Sequence, residues 1–406
     1  MAVLAPMILF TTVVLLLAAL VLLARRTLAP AHAVEIVVNE RRHLPATTGE
    51  KLLWALAARD IHLPAACGGR GSCGQCRVVV TDGGGPFLPT EANHISRRDA
   101  AMGMRLACMV TLHEDVGVRL PDALLEARAW RSRVRSNRNL TTYLKELVLE
   151  LPDGLDLTFA AGDYVLVEAP AQTVAYADLD IDPQYRDEWR RRGLFDLVAH
   201  IDVPTTRAYS VASHALERGV LKLVVRIAIP PPDAPAGAPP GKVSSWIFGL
   251  APGDMVSLSG PFGTFHARDS EREMILVGGG AGIAPLRAMV FDQLLVRRTQ
   301  RRLSLWYGAR NMHELCYAEE FEALAARHDN FTYHVALSDP DVDAAWTGPR
   351  GFIHRVLLQD YLQDHPAPEE AEYYLCGPPL MSSAVVAMLE DLGVDRDSIL
   401  HDDFGS

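Results

Sequence analysis

The chain has 406 residues, 49% of them hydrophobic and 22% charged: ordinary globular composition, with room for more than one domain. Its net charge of -11 gives no support to a nucleic-acid surface, which calls for a basic stripe. Six cysteines in this distribution make no disulfide framework and fit a reducing compartment.

Residues 2–24 contain no charged side chain. At 1.5 Å per residue such a helix is about 34 Å long, enough to cross the hydrocarbon core, so a single transmembrane anchor is expected there. Arg25 and Arg26 follow at once and nothing basic precedes, which places Met1 outside and the remaining chain in the cytoplasm. A cleaved signal peptide is the rival, with Ala31-His32-Ala33 imitating a cleavage site. Against it stand the missing basic n-region and an apolar run longer than the usual h-region.

Three modules are expected after the anchor. In 34–126 a strand-like run, Val34 to Val38, precedes a short helix around Gly49 to Leu56 and then a cysteine loop, an order that suits a β-grasp sheet. In 130–268 short β runs such as Tyr164 to Val167 and Leu221 to Ile227, separated by turn residues, suggest a small antiparallel barrel. Residues 172–204 look like a polar, aromatic-containing insertion between its strands, and the Pro-rich stretch Pro230 to Gly241 looks like an extended surface loop. In 273–406 strand runs beginning at Met274, Leu303, Phe331 and Glu372 alternate with helical ones, the pattern of a parallel sheet covered by helices. The expected fold is therefore a multidomain α+β and α/β chain.

Cys67, Cys73, Cys76 and Cys108 have the order C-x5-C-x2-C, then a long gap, then C. Three thiolates from one tight loop and a fourth from a distant segment suit a [2Fe-2S] cluster. The glycines between them let backbone N–H groups approach its sulfurs. Zinc is the rival, although zinc ribbons usually pair two C-x2-C units and here the fourth cysteine stands alone.

Arg207-Ala208-Tyr209-Ser210 places Arg207 and Tyr209 on one face of a strand, a guanidinium for a phosphate beside a phenol for a flavin ring or ribitol. By itself such a tetrapeptide is more often an ordinary strand; its company is Gly241-Lys242-Val243-Ser244, opening a helix suited to a diphosphate. Gly278-Gly279-Gly280-Ala281-Gly282-Ile283-Ala284-Pro285 lies between the Met274 strand and a helix expected over 286–296, a strand–loop–helix placement that binds nucleotide diphosphates. Cys376-Gly377-Pro378-Pro379 ends another strand at the carboxyl edge of the sheet, where open α/β folds bind ligands. Cys376 is either a neighbour of nicotinamide or a small buried thiol closing the strand. Phe404, near the end of the chain, is either an aromatic cover for a flavin or part of a frayed tail. The fourteen histidines show no paired metal spacing, and the arginine runs at 190–192 and 297–302 read as solvated faces. A lone helix with no internal charge offers an ion no path across a membrane.

Together, the cysteine set, Arg207 to Ser210, Gly278 to Pro285, Cys376 to Pro379 and Asp402-Asp403-Phe404-Gly405 resemble the family of F subunits of the sodium-translocating NADH:quinone oxidoreductases. The resemblance covers essentially the whole chain, including the anchor, the insertion and the Pro-rich loop. The wider class is the ferredoxin–NAD(P)H reductases, which includes soluble reductase components of multicomponent oxygenases; those usually lack an anchor.

The resemblance implies that Arg207, Tyr209 and Ser210 bind FAD, with Gly241 and Ser244 at its diphosphate. Gly278, Gly279, Gly280 and Gly282, with Gly377 and Pro378, would cradle NADH; Cys376 would lie at the hydride-transfer site and Phe404 would shield the flavin. Electrons would pass from NADH through FAD and the cluster to other membrane subunits and quinone, on the cytoplasmic side of a bacterial inner membrane. Arg310 is a candidate ligand for a 2′-phosphate, which bears on the choice of NADH over NADPH. Two other readings are a membrane-associated NADH reductase of an oxygenase, and a tethered iron-sulfur sensor that binds no flavin.

Overall fold

The computed structural model describes residues 11–13, 32–65, 67–121, 124–125, 127–155, 157–231, 234–235, 237–339 and 346–402. The expected anchor lies outside them except for residues 11–13, and Phe404 lies outside them altogether. Among the described residues no helix is long and apolar enough to cross a membrane. The chain divides into two compact units, one from residues 1–63 and 69–125, the other from 64–68 and 126–406.

The first unit is a five-stranded sheet with the order β2-β1-β5-β3-β4, formed by β1 (Ala33–Val38), β2 (Arg42–Thr47), β3 (Arg77–Asp82), β4 (Met104–Leu106) and β5 (Val116–Arg119). Alternation in β1 sends Val34, Ile36 and Val38 into the core, as a sheet with one covered face requires. β1 pairs with β2 antiparallel and with β5 parallel. The Leu52–Ala57 helix buries Leu52, Leu53, Ala55 and Leu56, so the expected grasp of one helix by a small sheet is what forms.

Among the described residues the second unit holds two large sheets and one two-stranded sheet. The first comprises β6 (Arg128–Asn139), β7 (Leu144–Glu150), β8 (Tyr164–Ala169), β11 (Thr205–Ser210), β12 (Val220–Arg226) and β13 (Met255–Phe262) in the order β11-β8-β13-β6-β7-β12, with β9 (Gln172–Ala175) and β10 (Val198–Ile201) pairing separately. Every ladder in it is antiparallel. The expected barrel needs correction: among the described residues the edge strands are not joined by a ladder, and that side is linked by the isolated bridge Val211↔Leu223, so the sheet is a half-barrel.

The insertion is also less polar than its sequence suggests. Tyr176, Leu179, Ile181, Tyr185, Trp189 and Leu194 are buried in the same core as Val165, Val167 and Leu258 of the sheet. Short 3-10 turns and the Arg186–Arg191 helix carry these residues inward, while Arg190 and Arg191 stay exposed.

The remaining strands are β14 (Met274–Gly279), β15 (Leu303–Ala309), β16 (Phe331–Leu337), β17 (Glu372–Cys376) and β18 (Ile399–Asp402), in the order β16-β15-β14-β17-β18. All four pairings are parallel. β14 is buried along its whole length, the mark of a central strand covered on both faces. The helix after the glycine loop runs Ile283–Phe291, beginning earlier than the expected 286, and Asp292–Val296 continues it as a π-helical turn.

Candidate functional site

A cavity of about 1010 Å³ opens in the second unit. One wall is Arg207, Ala208, Tyr209 and Ser210 of β11; another is Gly279, Gly280, Ala281 and Gly282; Gly241 to Ser244 and Gly377 to Met381 complete it. Four segments that lie apart in sequence therefore meet in one cleft, at the carboxyl ends of the parallel strands, where ligands of open α/β sheets bind.

Each wall has a local cause. Strand β11 pairs with β8 from Thr205↔Ala169 to Ser210↔Tyr164, which holds the Arg207–Ser210 backbone rigid. Tyr209 is half-buried, and burial pushes its phenol well above the ordinary value, so it is a neutral hydroxyl. Ser210 Oγ donates to Asp402 Oδ2 at 3.0 Å. Gly241 precedes the Lys242–Phe248 helix, and a Cβ on it would stand 2.6 Å from Ala228 Cβ and 2.9 Å from Ser244 Oγ. The Ser244 hydroxyl accepts from the Ala228 amide at 3.1 Å.

The four glycines of the nucleotide loop do different work. Gly278 does not line the cavity; a Cβ there would meet Leu286 Cδ1 at 2.6 Å, so it lets the helix pack on the strand. Gly282 packs on the end of β17, where a Cβ would lie 2.0 Å from the Cys376 carbonyl oxygen. Gly280 has φ +56° and open space at its Cβ position, making it the turn that directs backbone toward the cleft.

Cys376 is fully buried in the core of the nucleotide-binding domain and is not part of the cavity lining; its neighbours Gly377 and Pro378 are. Arg310 does line the cavity, but its Nη2 pairs with Glu314 Oε1 at 3.0 Å and its guanidinium lies 5.5 Å from the Tyr143 ring centroid. Cys316 is buried, and burial pushes its thiol up to about 12, leaving it inert at neutral pH.

Sequence reasoning missed Tyr143, His354 and the exposed apolar side chains Phe352 (60% exposed) and Leu380 (87% exposed), all on the cavity wall. For Phe352 a signal existed: Gly348-Pro349-Arg350-Gly351 has turn composition and follows β16, where Arg350 bridges Leu337. Tyr143, in the hairpin between β6 and β7, carried none.

The cavity fits FAD and NADH. Arg207, Arg226 and Lys242 supply cations, glycine backbone supplies close approach, and apolar rims at Phe352 and Leu380 suit flat rings.

In the first unit, Cys76 and Cys108 are buried, and their thiols are hydrogen-bonded. That bond, burial and the neighbouring Cys73 push the Cys76 thiol far above the ordinary range. Two buried thiols within hydrogen-bond reach of each other, with a third cysteine on the same loop, are soft donors that fit bound iron. Gly71 and Gly74 allow the loop to close, since a Cβ at either would stand 2.9 Å from Met109 Cε or 2.8 Å from the His94 ring. Cys67 falls in the 64–68 segment grouped with the second unit. Among the described residues no group of three His, Cys, Asp or Glu side chains stands in metal-binding array.

Comparison with known proteins agrees with this geometry. Residues 36–113 match the 2Fe-2S iron-sulfur cluster binding domain family, 194–267 the oxidoreductase FAD-binding domain family, and 276–387 the oxidoreductase NAD-binding domain family. Among solved structures, the chain is similar to the Amycolatopsis cytochrome P450 reductase GcoB, with a TM-score of 0.65 and 26% identity over 91% of this chain and 98% of that one. It is also similar to a ferredoxin reductase in carbazole 1,9a-dioxygenase, with a TM-score of 0.60 and 25% identity over 92% of this chain and 99% of that one. Among curated proteins, it is 49% identical to the F subunit of the Na(+)-translocating NADH-quinone reductase of Pseudomonas paraeruginosa over 98% of this chain and 97% of the relative. The Klebsiella pneumoniae and Neisseria gonorrhoeae proteins of that description are 49% and 48% identical, each over 100% of both chains. With its ferredoxin, FAD-binding and NAD-binding domains in one polypeptide, the chain belongs to the family of Na(+)-translocating NADH-quinone reductase F subunits.

Proposed function

We propose that the chain is the NADH-oxidising, electron-input subunit of a sodium-pumping NADH:quinone oxidoreductase, working beside other subunits of that complex. The observation that carries this reading is the single cleft walled by Arg207–Ser210 on one side and by Gly279–Gly282 on the other. When bound, FAD accepts a hydride from NADH and releases electrons one at a time to a [2Fe-2S] cluster.

The protein's share is binding and placement. Arg207 and Lys242 would neutralise diphosphate charge, Ser244 fixes the loop before its helix, and Tyr209 would help hold the flavin. The Gly280 turn and Gly282 would offer backbone amides to the NADH diphosphate, and Gly377 and Pro378 would help hold NADH. Cys376, behind these two residues, sets their position and performs no covalent chemistry. Phe404 shields the flavin. Cys67, Cys73, Cys76 and Cys108 are the four thiolates that hold the cluster, and residues 2–24 anchor the chain in the bacterial inner membrane with Met1 outside. Quinone is reached through the partner subunits.

The test is NADH-driven quinone reduction in native membranes with and without the gene, at low and high sodium. A sodium-stimulated activity lost with the gene is expected. Unchanged quinone reduction with no sodium response refutes the respiratory role and favours an oxygenase reductase, the kind of protein whose solved structures the chain is similar to.

A further inference from the structure

The nucleotide loop leads into a helix that carries an unusual residue for its place. Arg287, on the Ile283–Phe291 helix, is only 2% exposed. Its Nη1 donates to the Ala212 carbonyl at 2.7 Å and to Glu217 Oε2 at 3.0 Å, and its Nη2 donates to Glu217 Oε1 at 3.0 Å. Its Nε donates to Glu320 Oε2 at 2.8 Å. The guanidinium lies between two rings, 4.7 Å from the Phe291 centroid and 5.0 Å from that of Tyr317. Glu217 is held in turn by Lys222 Nζ at 2.5 Å and by the His214 amide at 3.2 Å.

These contacts join the two halves of the cleft. Ala212 follows Ser210 almost directly, so its carbonyl belongs to the same backbone run as the Arg207–Ser210 wall. Arg287 is little more than one helical turn beyond Gly282, the end of the opposite wall. Glu217 belongs to the turn between β11 and β12 of the flavin-side sheet, and Glu320 to the Ala318–Ala325 helix of the nucleotide-side domain. A forked guanidinium meeting a carboxylate in two hydrogen bonds fixes direction as well as distance, which an apolar contact does not.

We propose that Arg287, through its bidentate bond to Glu217, is a positioning residue that sets the separation of the flavin and nicotinamide walls for hydride transfer. Neither residue lines the cavity, so the pair acts without touching the reactants. The proposal rests on the reading of the cleft as the FAD and NADH site. The arrangement also explains a buried charge that domain stability alone does not call for, since buried ion pairs add little net stability over apolar packing.

The test compares Arg287→Lys and Glu217→Gln with the unsubstituted full-length chain, purified in detergent with its flavin and cluster. Arg287→Lys keeps the charge and loses the fork; Glu217→Gln is the milder change if the first does not fold. Arg301→Lys is the control. Arg301 is likewise buried and bonded, to Glu372 Oε2 at 3.4 Å, Gln293 Oε1 at 2.9 Å and the Ser270 carbonyl at 3.4 Å, all at residues beyond the last strand of the flavin-side sheet.

The readouts are FAD content, the dissociation constant of NAD⁺, the long-wavelength charge-transfer absorbance when NADH meets the flavin, and the rate of flavin reduction in stopped flow. Arg287→Lys and Glu217→Gln should keep their FAD and hold NAD⁺ within about threefold. They should lose most of the charge-transfer absorbance and reduce about 10- to 100-fold more slowly, because small misplacements at a hydride-transfer distance have effects of that size. Arg301→Lys should melt at a lower temperature and keep both the band and the rate. A flavin-loaded Glu217→Gln with normal absorbance and rate overturns the proposal, as does an equal loss of the band in Arg301→Lys. Failure of the site reading itself would show differently, as an unsubstituted chain that binds no flavin.

Discussion

Replacing Arg105 with Met tests how the first unit is held together. Glu91 is completely buried and accepts four hydrogen bonds of 2.9 Å: from Arg105 Nε and Nη2, from the Leu106 amide and from the Leu88 amide. Burial by itself raises the Glu91 carboxyl, and the bonds from Arg105, Leu106 and Leu88 outweigh it and hold the group below the ordinary carboxylate range. Arg105 also donates to the carbonyls of Gly84, Gly85 and Pro86. Gly85 and Pro86 are exposed and regain water when the guanidinium goes, whereas Gly84 is buried. The loss therefore falls on the buried Gly84 carbonyl and above all on Glu91, left as a buried carboxylate with two amides, at a cost of about 3–5 kcal/mol. For a domain of this size that corresponds to a fall in melting temperature of at least about 12 °C. The assay is guanidinium unfolding followed by visible circular dichroism of the iron-sulfur cluster, which reports the first unit separately from the flavin. The double variant Arg105→Met with Glu91→Leu removes both charges and should regain most of the loss. A single-variant cost below about 1 kcal/mol, or a double variant no better than the single, refutes the reasoning.

The other expectations concern the second unit. Gly282→Ala puts a methyl 2.0 Å from the backbone oxygen of Cys376, so β17 must move; a loss of about 1–3 kcal/mol and at least about tenfold weaker NADH binding should appear in titration calorimetry. Gly280→Ala meets nothing within 4 Å but holds φ +56°, so it should lose only about 1–2 kcal/mol from its backbone conformation, seen as a shift in melting temperature. Arg207→Ala removes a cation from the flavin wall and should weaken FAD retention by about 1.5–3 kcal/mol, or roughly 10- to 150-fold, measured by reconstitution of the apoprotein. Burial raises the Glu217 carboxyl, but Arg287 and Lys222 more than offset it and bring it to about 2. A depressed carboxylate stabilises fully above its ordinary value near 4.5 and loses that contribution as pH falls toward about 2. The gap between the unsubstituted chain and Glu217→Gln should thus be about 3 kcal/mol at pH 7, narrow below pH 4.5 and close near pH 2 in equilibrium denaturation.

Much of this architecture was legible because it repeats a local pattern. Met274 to Val277 is apolar without alternation, which only a strand covered on both faces tolerates, and β14 proved to be the centre of a parallel sheet. The motif Arg207–Ser210 and the glycine loop were legible as pieces, since strand pairing and turn geometry depend on neighbouring residues. The closure of the flavin-side sheet was not: whether β11 and β12 form a ladder or meet at the one bridge Val211↔Leu223 depends on the edges of two separated strands. The insertion misled because Tyr176, Tyr185 and Trp189 sit on short 3-10 turns and a six-residue helix, too brief for a hydrophobic period to register. Gly278 was read with the nucleotide-binding glycines, and its purpose is instead to admit Leu286; one sequence symbol covers both needs.

Arg287 shows where local reading stops. On a helix after a glycine loop, an arginine reads as a solvated face, and its burial follows from partners 70 residues earlier and 33 residues later in the chain. Apolar surfaces such as Phe265 against Tyr374, with ring centroids 6.2 Å apart, provide area but tolerate sliding, because dispersion has weak directional preference. A guanidinium fork provides direction, and hydride transfer depends on direction and distance far more steeply than folding does. Evolution of a two-domain flavin site therefore has reason to keep a charge buried where stability alone would accept leucine. The same logic separates Arg287 from Arg301: both are buried and paired, but of the two it is Arg287 that bonds to the backbone run continuing the Arg207–Ser210 wall.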